Sequence, residues 1–107
     1  MSNELSQILR ELKEGLAGIY QGQLKAIYLY GSYAREEALP PDSDIDVMIV
    51  LQGDFDPSEE EKRSADFIAE LCLEHDIVIS WLFASETEFA HSGMPLMINV
   101  RREGVAV

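Results

Sequence analysis

The apolar positions of the sequence change between a helical spacing and a strand spacing. From Asn3 to about Tyr20 they recur at steps of three and four, at Leu5, Ile8, Leu9, Leu12, Leu16 and Ile19, which is the spacing of one helix face. A β-branched and aromatic run from about Lys25 to Tyr30 predicts a first strand. Between Ile45 and Leu51 every second residue is apolar, so a second strand with one wholly apolar face is predicted.

A second helix has a well-marked start at Asp56. Pro57 stands at the first helical position and Glu59 at the third, an arrangement typical of a capped helix start. The helix is predicted to run to about Glu74. The densely apolar stretch from Asp76 to Ala84 then predicts a third strand, covered on most sides.

Two short helices are predicted in the last quarter of the chain. Ser85 and Glu88 have the spacing of a capping box for a helix that ends near His91. The stretch from Pro95 to Glu103 predicts a last helix, with Gly104 as its stop. This order of elements predicts an α/β (α+β) fold, a small mixed β-sheet with helices mainly on one face.

Length and charge limit the range of functions. A chain of 107 residues predicts a single domain over residues 1–107, too small to include a separate substrate-binding domain, so another chain must supply that surface in a homo- or hetero-oligomer. The net charge of −12, from 20 acidic and 8 basic residues, opposes direct binding to nucleic acid. It favours a basic protein partner, or it only keeps a small protein soluble.

The cellular location follows from what the sequence contains. A single cysteine, Cys72, excludes an internal disulfide and is consistent with a reducing compartment. The charged N-terminus is not typical of a signal peptide, and no apolar run has the length of a membrane span. We predict a soluble, cytoplasmic protein.

Asp44 and Asp46 are the first candidates for chemistry, because a period of two puts both on one face of the second strand. Two carboxylates within about 4–6 Å repel each other, and a divalent cation relieves the repulsion. Mg²⁺ suits such ligands, since it takes one or two carboxylates together with substrate phosphates. The turn at Gly31 and Ser32 supplies backbone access and donors for phosphate, and the residues from Tyr33 to Ala38 are predicted as a short helix opening toward it. Taken alone, the two aspartates after a Pro-Asp-Ser turn are as well explained by solvated turn chemistry.

These residues together resemble a known family, the small minimal nucleotidyltransferases (MNT proteins) of the DNA polymerase β superfamily. The family pattern is Gly-Ser, a loop of ten or so residues, then Asp-x-Asp. Here the loop is the eleven residues from Tyr33 to Ser43, and the pattern is matched by Gly31, Ser32, Ala34, Arg35, Asp42, Ser43, Asp44, Ile45 and Asp46. Two features depart from it: Glu36 stands where the family usually has glycine, and Pro40-Pro41 lengthens the loop. Both bear on the nucleotide pocket.

The resemblance implies a nucleotidyltransferase fold and transfer of a nucleoside monophosphate from an NTP, with ATP favoured, to an acceptor hydroxyl. Asp44 and Asp46 would hold Mg²⁺ or Mn²⁺. Gly31 and Ser32 would bind the β- and γ-phosphates. Arg35 would contact phosphate or, equally well, form a salt bridge with a nearby acid.

The resemblance also implies a third carboxylate from a neighbouring strand. Asp76 is the candidate that the third strand offers, as a third catalytic residue and metal ligand. The alternative is an end-of-strand role in which Asp76 satisfies backbone donors. In that case Ser80, on the same face by alternation, would be the residue nearest the aspartates. His75 and His91 lack a zinc-like spacing, so no zinc site is predicted.

Small MNT proteins commonly pair with a helical HEPN protein as antitoxin and toxin, and some nucleotidylate that partner on a tyrosine. The resemblance therefore implies a HEPN-type partner and an antitoxin role. Two alternatives stay open. One is a non-catalytic antitoxin or scaffold that acts by contact alone, and the other is a transferase acting on a small molecule such as an aminoglycoside.

Overall fold

The computed structural model describes residues 2–36 and 44–107. Its elements are α1 Asn3–Tyr20, a 3₁₀ turn Gln21–Gln23, β1 Leu24–Tyr30, β2 Ile45–Leu51, α2 Pro57–His75, β3 Ile79–Ser85, α3 Glu86–His91, α4 Pro95–Glu103 and β4 Val105–Ala106. No helix in the described ranges is both long and apolar enough to cross a membrane.

The four strands form one mixed sheet in the order β3-β2-β1-β4. β1 pairs with β2 and with β4 in antiparallel fashion. β2 and β3 are parallel, which requires a crossover, and α2 provides it. The α+β class and the mixed sheet predicted from the sequence are therefore confirmed, with β2 in the interior of the sheet.

The main core lies between the sheet and the two long helices. The alternating apolar residues of β2 are fully buried there, together with the apolar stripe of α1, namely Leu5, Ile8, Leu9, Leu12 and Leu16. The two helices approach closely, since a methyl group added to Gly15 of α1 would overlap the ring of Phe67 in α2. Burial of this stripe, rather than intrinsic propensity, stabilises α1.

The opposite face of the sheet is half covered. Met48 and Val50 of β2, Ala84 of β3 and Val100 of α4 form a second buried cluster under α3 and α4. The two long helices lie on one face, and the two short helices cover part of the other. On that second face, toward the start of β2, Asp44 and Ser80 are exposed.

Capping residues start the helices where the sequence predicts. The side chain of Asp56 accepts a hydrogen bond from the Ser58 N–H at 3.0 Å. Ser85 and Glu88 form the reciprocal pair, with the Glu88 N–H donating to Ser85 Oγ at 3.0 Å and the Ser85 N–H donating to Glu88 Oε1 at 3.1 Å. Each bond satisfies a backbone donor that the first helical turn leaves free.

Two predicted boundaries need correction. The strand predicted to begin at Asp76 begins at Ile79, because Asp76 is the C-cap of α2, in the left-handed region at φ 52°. There its N–H donates to the Cys72 carbonyl. Residues 31–36 form turns instead of the first part of the short helix predicted from Tyr33 to Ala38, and the rest of that prediction lies outside the described residues.

Candidate active site

The turn at the end of β1 is built around Gly31. Its φ of 73° lies in the left-handed region, which glycine adopts without steric cost. The Arg35 N–H donates to the Gly31 carbonyl at 3.2 Å, and the Glu36 N–H donates to the Tyr33 carbonyl at 3.2 Å. Ser32 is half-buried beside them. The turn therefore presents a short, tight stretch of backbone at one edge of the sheet.

The two aspartates stand at the start of β2, directly beside this turn. Asp44 is exposed and Asp46 is half-buried, while Ile45 between them points into the main core. The Ile45 N–H donates to the Val78 carbonyl at 2.9 Å, which anchors this end of the strand. The loop residues 37–43, including Pro40-Pro41, lie outside the described residues.

The turn and the strand meet at Gly31 and Asp46. A Cβ atom placed on Gly31 would lie 2.5 Å from Asp46 Oδ2. No larger residue fits there without displacing the carboxylate. The structure thus brings together the sequence-predicted Gly31, Ser32, Asp44 and Asp46 at one place.

The electrostatics of the site favour a cation. Burial, followed by repulsion from Asp44, raises the pKa of Asp46 above its ordinary value. Burial, followed by the negative charge of Asp46, also raises the pKa of the Tyr30 phenol. A divalent ion beside the two carboxylates would offset the desolvation and the repulsion.

The strand register defines the immediate neighbours of Asp46. Tyr30 of β1 is its partner on one side, and Ser80 of β3 is its partner on the other. Tyr30 is half-buried and Ser80 is exposed. Both neighbours present a hydroxyl group on the face that carries the carboxylate.

Asp76 does not occupy the ladder position beside Asp46. It is the C-cap of α2 before β3 begins, and its main-chain N–H donates to the Cys72 carbonyl; the alternative in which its carboxylate satisfies backbone donors stays a prediction. Its role as a metal ligand stays a prediction to which the strand register lends no support. The sequence placed the start of β3 too early because Ile77 and Val78 are apolar like the strand residues that follow them, although β3 begins only at Ile79.

Arg35 pairs with an acid of α4. Its Nη1 lies 3.7 Å from Glu103 Oε2, and both side chains are about half exposed. This is the salt bridge predicted as the alternative to phosphate contact. Such an exposed pair is weak, so the guanidinium can exchange its partner for a phosphate group.

A second cluster of ligand-type side chains lies on the helical layer. Glu11, Glu74 and His75 each offer one ligand atom within 4.8 Å of the others. His75 Nε2 and Glu11 Oε2 are 2.7 Å apart, and this direct contact between α1 and α2 accounts for the closeness of that pair.

Sequence reasoning missed Glu103 and the place of Tyr30 in this site. Glu103 is distant in sequence from Arg35, and only the position of α4 brings the two together. The sequence shows Tyr30 directly before Gly31, but only its pairing with Asp46 places the two side chains on the same face of the sheet. Strand order was not readable from the sequence.

Comparison with known proteins gives one family and several relatives. Residues 5–99 match the family model described as "Nucleotidyltransferase domain". A Methanocaldococcus jannaschii protein named "Putative protein adenylyltransferase" is 36% identical over 81 residues, which cover 76% of this chain and 74% of that protein. The spectinomycin 9-adenylyltransferase of Campylobacter jejuni is 41% identical over 56 residues, covering 52% of this chain but 21% of that enzyme.

The fold also has solved relatives. A structure titled "Crystal structure of the toxin-antitoxin with AMP-PNP" superposes with a TM-score of 0.63 at 20% identity, covering 98% of this chain and 72% of that one. At this identity the likeness concerns the fold. It agrees with the mixed sheet and its flanking helices.

Proposed function

The chain belongs to the nucleotidyltransferase domain family, and we propose that it transfers the nucleoside monophosphate of an NTP, with ATP favoured, to a hydroxyl group on a partner protein. The observation that carries this proposal is the fit of Gly31 against Asp46. This fit places the turn at Gly31 and Ser32, which is proposed to bind phosphate, beside the carboxylates of Asp44 and Asp46. The relative named as a protein adenylyltransferase supports AMP as the group transferred and a protein as the acceptor.

The donor set at this edge suits a magnesium ion. Asp44 and Asp46 are hard oxygen ligands, and burial, followed by repulsion from Asp44, raises the pKa of Asp46. Mg²⁺, or Mn²⁺ in its place, would supply positive charge to the triphosphate and to the departing pyrophosphate when bound. The two aspartates are the residues that would hold it.

The remaining groups would bind and orient the nucleotide. The hydroxyl of Ser32 and the backbone N–H groups of the turn would donate to the β- and γ-phosphates, and Gly31 allows them to approach closely. Arg35 would leave Glu103 and pair with a phosphate oxygen. In the reaction the acceptor oxygen bonds to the α-phosphorus, the bond from the α-phosphorus to the β-bridging oxygen breaks, pyrophosphate leaves, and the hydroxyl proton passes to solvent.

The acceptor is proposed to be a helical, basic protein of the HEPN type, with this chain as its antitoxin. The net charge of −12 favours a basic partner. The fold neighbour with AMP-PNP is a toxin-antitoxin structure, which supports the same pairing. We expect the pair to act in the cytoplasm.

Nucleotide binding is the first test. Isothermal titration with Mg²⁺ and α,β-methylene-ATP, which resists cleavage at the reacting bond, should show binding to the wild type. The variant with both Asp44→Asn and Asp46→Asn should lose at least about tenfold in affinity, because each carboxylate is a direct ligand. Asp54→Asn is the matched control, since Asp54 is an exposed acid beyond the far end of β2. Equal affinities in all three proteins would contradict the site.

Group transfer is the second test. The wild type is incubated with α-labelled ATP, Mg²⁺ and a co-purified partner, and the label is located by gel and mass spectrometry. Label on the partner's hydroxyl supports the proposal. A partner that is bound and neutralised equally by the double-Asn variant would favour action by contact alone.

A small-molecule acceptor is the second candidate, favoured by the stretch shared with the spectinomycin enzyme. That stretch covers 21% of the enzyme, so most of the enzyme is outside the comparison. Spectinomycin offered in the same assay distinguishes the two. Labelled antibiotic with an unlabelled partner would replace the protein acceptor.

A further inference from the structure

The strands on both sides of Asp46 present hydroxyl groups to it. Tyr30 is paired with Asp46 across the antiparallel ladder, and Ser80 is paired with it across the parallel ladder. Neighbouring strands lie about 4.7–4.9 Å apart, so a ladder partner on the same face is within reach of a shared ligand. Among the described residues of the sheet, these are the two direct ladder neighbours of Asp46.

Tyr30 is unsuited to that task. Its ring packs into the cluster under α3 and α4, and its phenol is neutral in its ordinary state and adds no negative charge. Ser80 is exposed on the same face as Asp46. Among residues 2–36 and 44–107, Ser80 is therefore the ladder neighbour of Asp46 at which a carboxylate could be added.

Two divalent cations held about 3.5–4 Å apart repel each other strongly, and carboxylates shared between them offset the repulsion. Asp44 and Asp46 supply two negative charges, and a neutral serine hydroxyl adds none. With a triphosphate present, two carboxylates are sufficient for one Mg²⁺, which keeps several of its waters. A second ion would lack a carboxylate on the β3 side.

We propose that this site holds one divalent cation together with the nucleotide, and that Ser80 sets this number by standing where a carboxylate would complete a second cation site. The proposal rests on the nucleotide site proposed above. In this proposal the neutral side chain at residue 80 limits the site to one cation. A carboxylate introduced at residue 80 should therefore allow a second cation to bind.

Cation number is measured by titrating Mn²⁺ into the protein with one equivalent of α,β-methylene-ATP per chain and following free Mn²⁺ by electron paramagnetic resonance. The same titration of the nucleotide alone is the reference for affinity. The wild type should bind one Mn²⁺ per chain. Ser80→Asp should bind two, and Ser80→Asn should bind one. The asparagine variant is the matched control, because it has the size of aspartate without its charge. Circular dichroism checks that each variant is folded.

The outcomes separate this inference from the proposed function. Two ions in the wild type would overturn the inference and leave nucleotide transfer intact. A single ion in folded Ser80→Asp would also overturn it, and the wild-type count decides the matter even if that variant does not fold. A protein–nucleotide complex that binds Mn²⁺ no more tightly than the nucleotide alone would overturn the site itself and the inference with it.

Discussion

A Cβ atom on Gly31 would lie 2.5 Å from Oδ2 of Asp46, so the carboxylate fills the space that a side chain at residue 31 would need. The same glycine has a φ of 73°, a conformation that other residues adopt only at a cost. Two independent constraints therefore favour glycine at this position. One constraint is conformational and the other belongs to the proposed active site.

Gly31→Ala should lower the free energy of unfolding by about 1–3 kcal/mol and abolish nucleotide binding, because the methyl group displaces Asp46. Urea denaturation and isothermal titration measure the two effects. Gly53→Ala is the matched control, since Gly53 also has a positive φ, 85°, with nothing within 4 Å of an added Cβ. That variant should show a conformational cost of about 1–2 kcal/mol and normal affinity. Normal affinity in Gly31→Ala would contradict the proposed contact.

Asp46→Asn should make the protein more stable at neutral pH while removing cation binding. The folded-state pKa of Asp46 is raised by burial and by Asp44. Its contribution to stability is therefore greatest at pH below the unfolded-state pKa and declines as the pH rises through the folded-state pKa. Asparagine does not ionise, so the variant keeps its stability as the pH rises. Its melting temperature should therefore exceed that of the wild type at neutral pH, and the two should converge in acid.

Thermal unfolding across this pH range, without divalent cations, measures the difference. Adding Mg²⁺ with α,β-methylene-ATP should then stabilise the wild type and leave Asp46→Asn unchanged. A variant that is less stable than the wild type at neutral pH would show that Asp46 supports the fold instead of straining it.

Gly15 and Gly18 of α1 should respond oppositely to alanine. A methyl group on Gly15 would overlap the Phe67 ring, whereas a Cβ on Gly18 has nothing within 4 Å. Gly18→Ala should stabilise the protein by about 0.5–1 kcal/mol through helix propensity. Gly15→Ala should destabilise it by about 1–3 kcal/mol, because the two helices must move apart. Guanidinium unfolding compares them, and equal stabilisation would contradict the close approach of α1 and α2.

Arg35 and Glu103 should differ in their effect on nucleotide binding although they form one pair. Glu103→Gln removes an exposed salt bridge and should change stability by less than about 1 kcal/mol, with no loss of affinity. Arg35→Ala would remove the proposed charge-assisted contact to phosphate and should weaken nucleotide binding by about tenfold or more. If both variants bind the nucleotide as the wild type does, Arg35 has only the structural role.

The parts of the fold that depend on nearby residues could be predicted from the sequence. The period of α1 and the caps at Asp56 and Ser85 are local, and the structure confirms them. β4 was missed, since it has two residues and exists only by pairing with β1. The start of β3 was placed too early because Asp76 adopts the left-handed conformation without the glycine that usually signals it.

Part of the candidate site could likewise be predicted from the sequence. The spacing of the Gly-Ser and Asp-x-Asp motifs predicts that Gly31 and Asp46 belong to one site. The neighbours of Asp46 could not, since Ser80 is set beside it by the parallel register of β2 and β3. A register of this kind depends on how α2 returns the chain to the sheet.

The interior position of β2 has a kinetic consequence. Its partner β1 comes from the preceding part of the chain, while β3 comes after the whole of α2. The β1–β2 pairing closes the segment of residues 31–44, whereas the β2–β3 pairing closes residues 52–78, which are about twice as many and cost about 0.6 kcal/mol more to close. We therefore expect β1 to pair with the strand of Asp46 before β3 brings Ser80 beside it. A chain in which β3 has not yet paired exposes the edge of β2 to solvent.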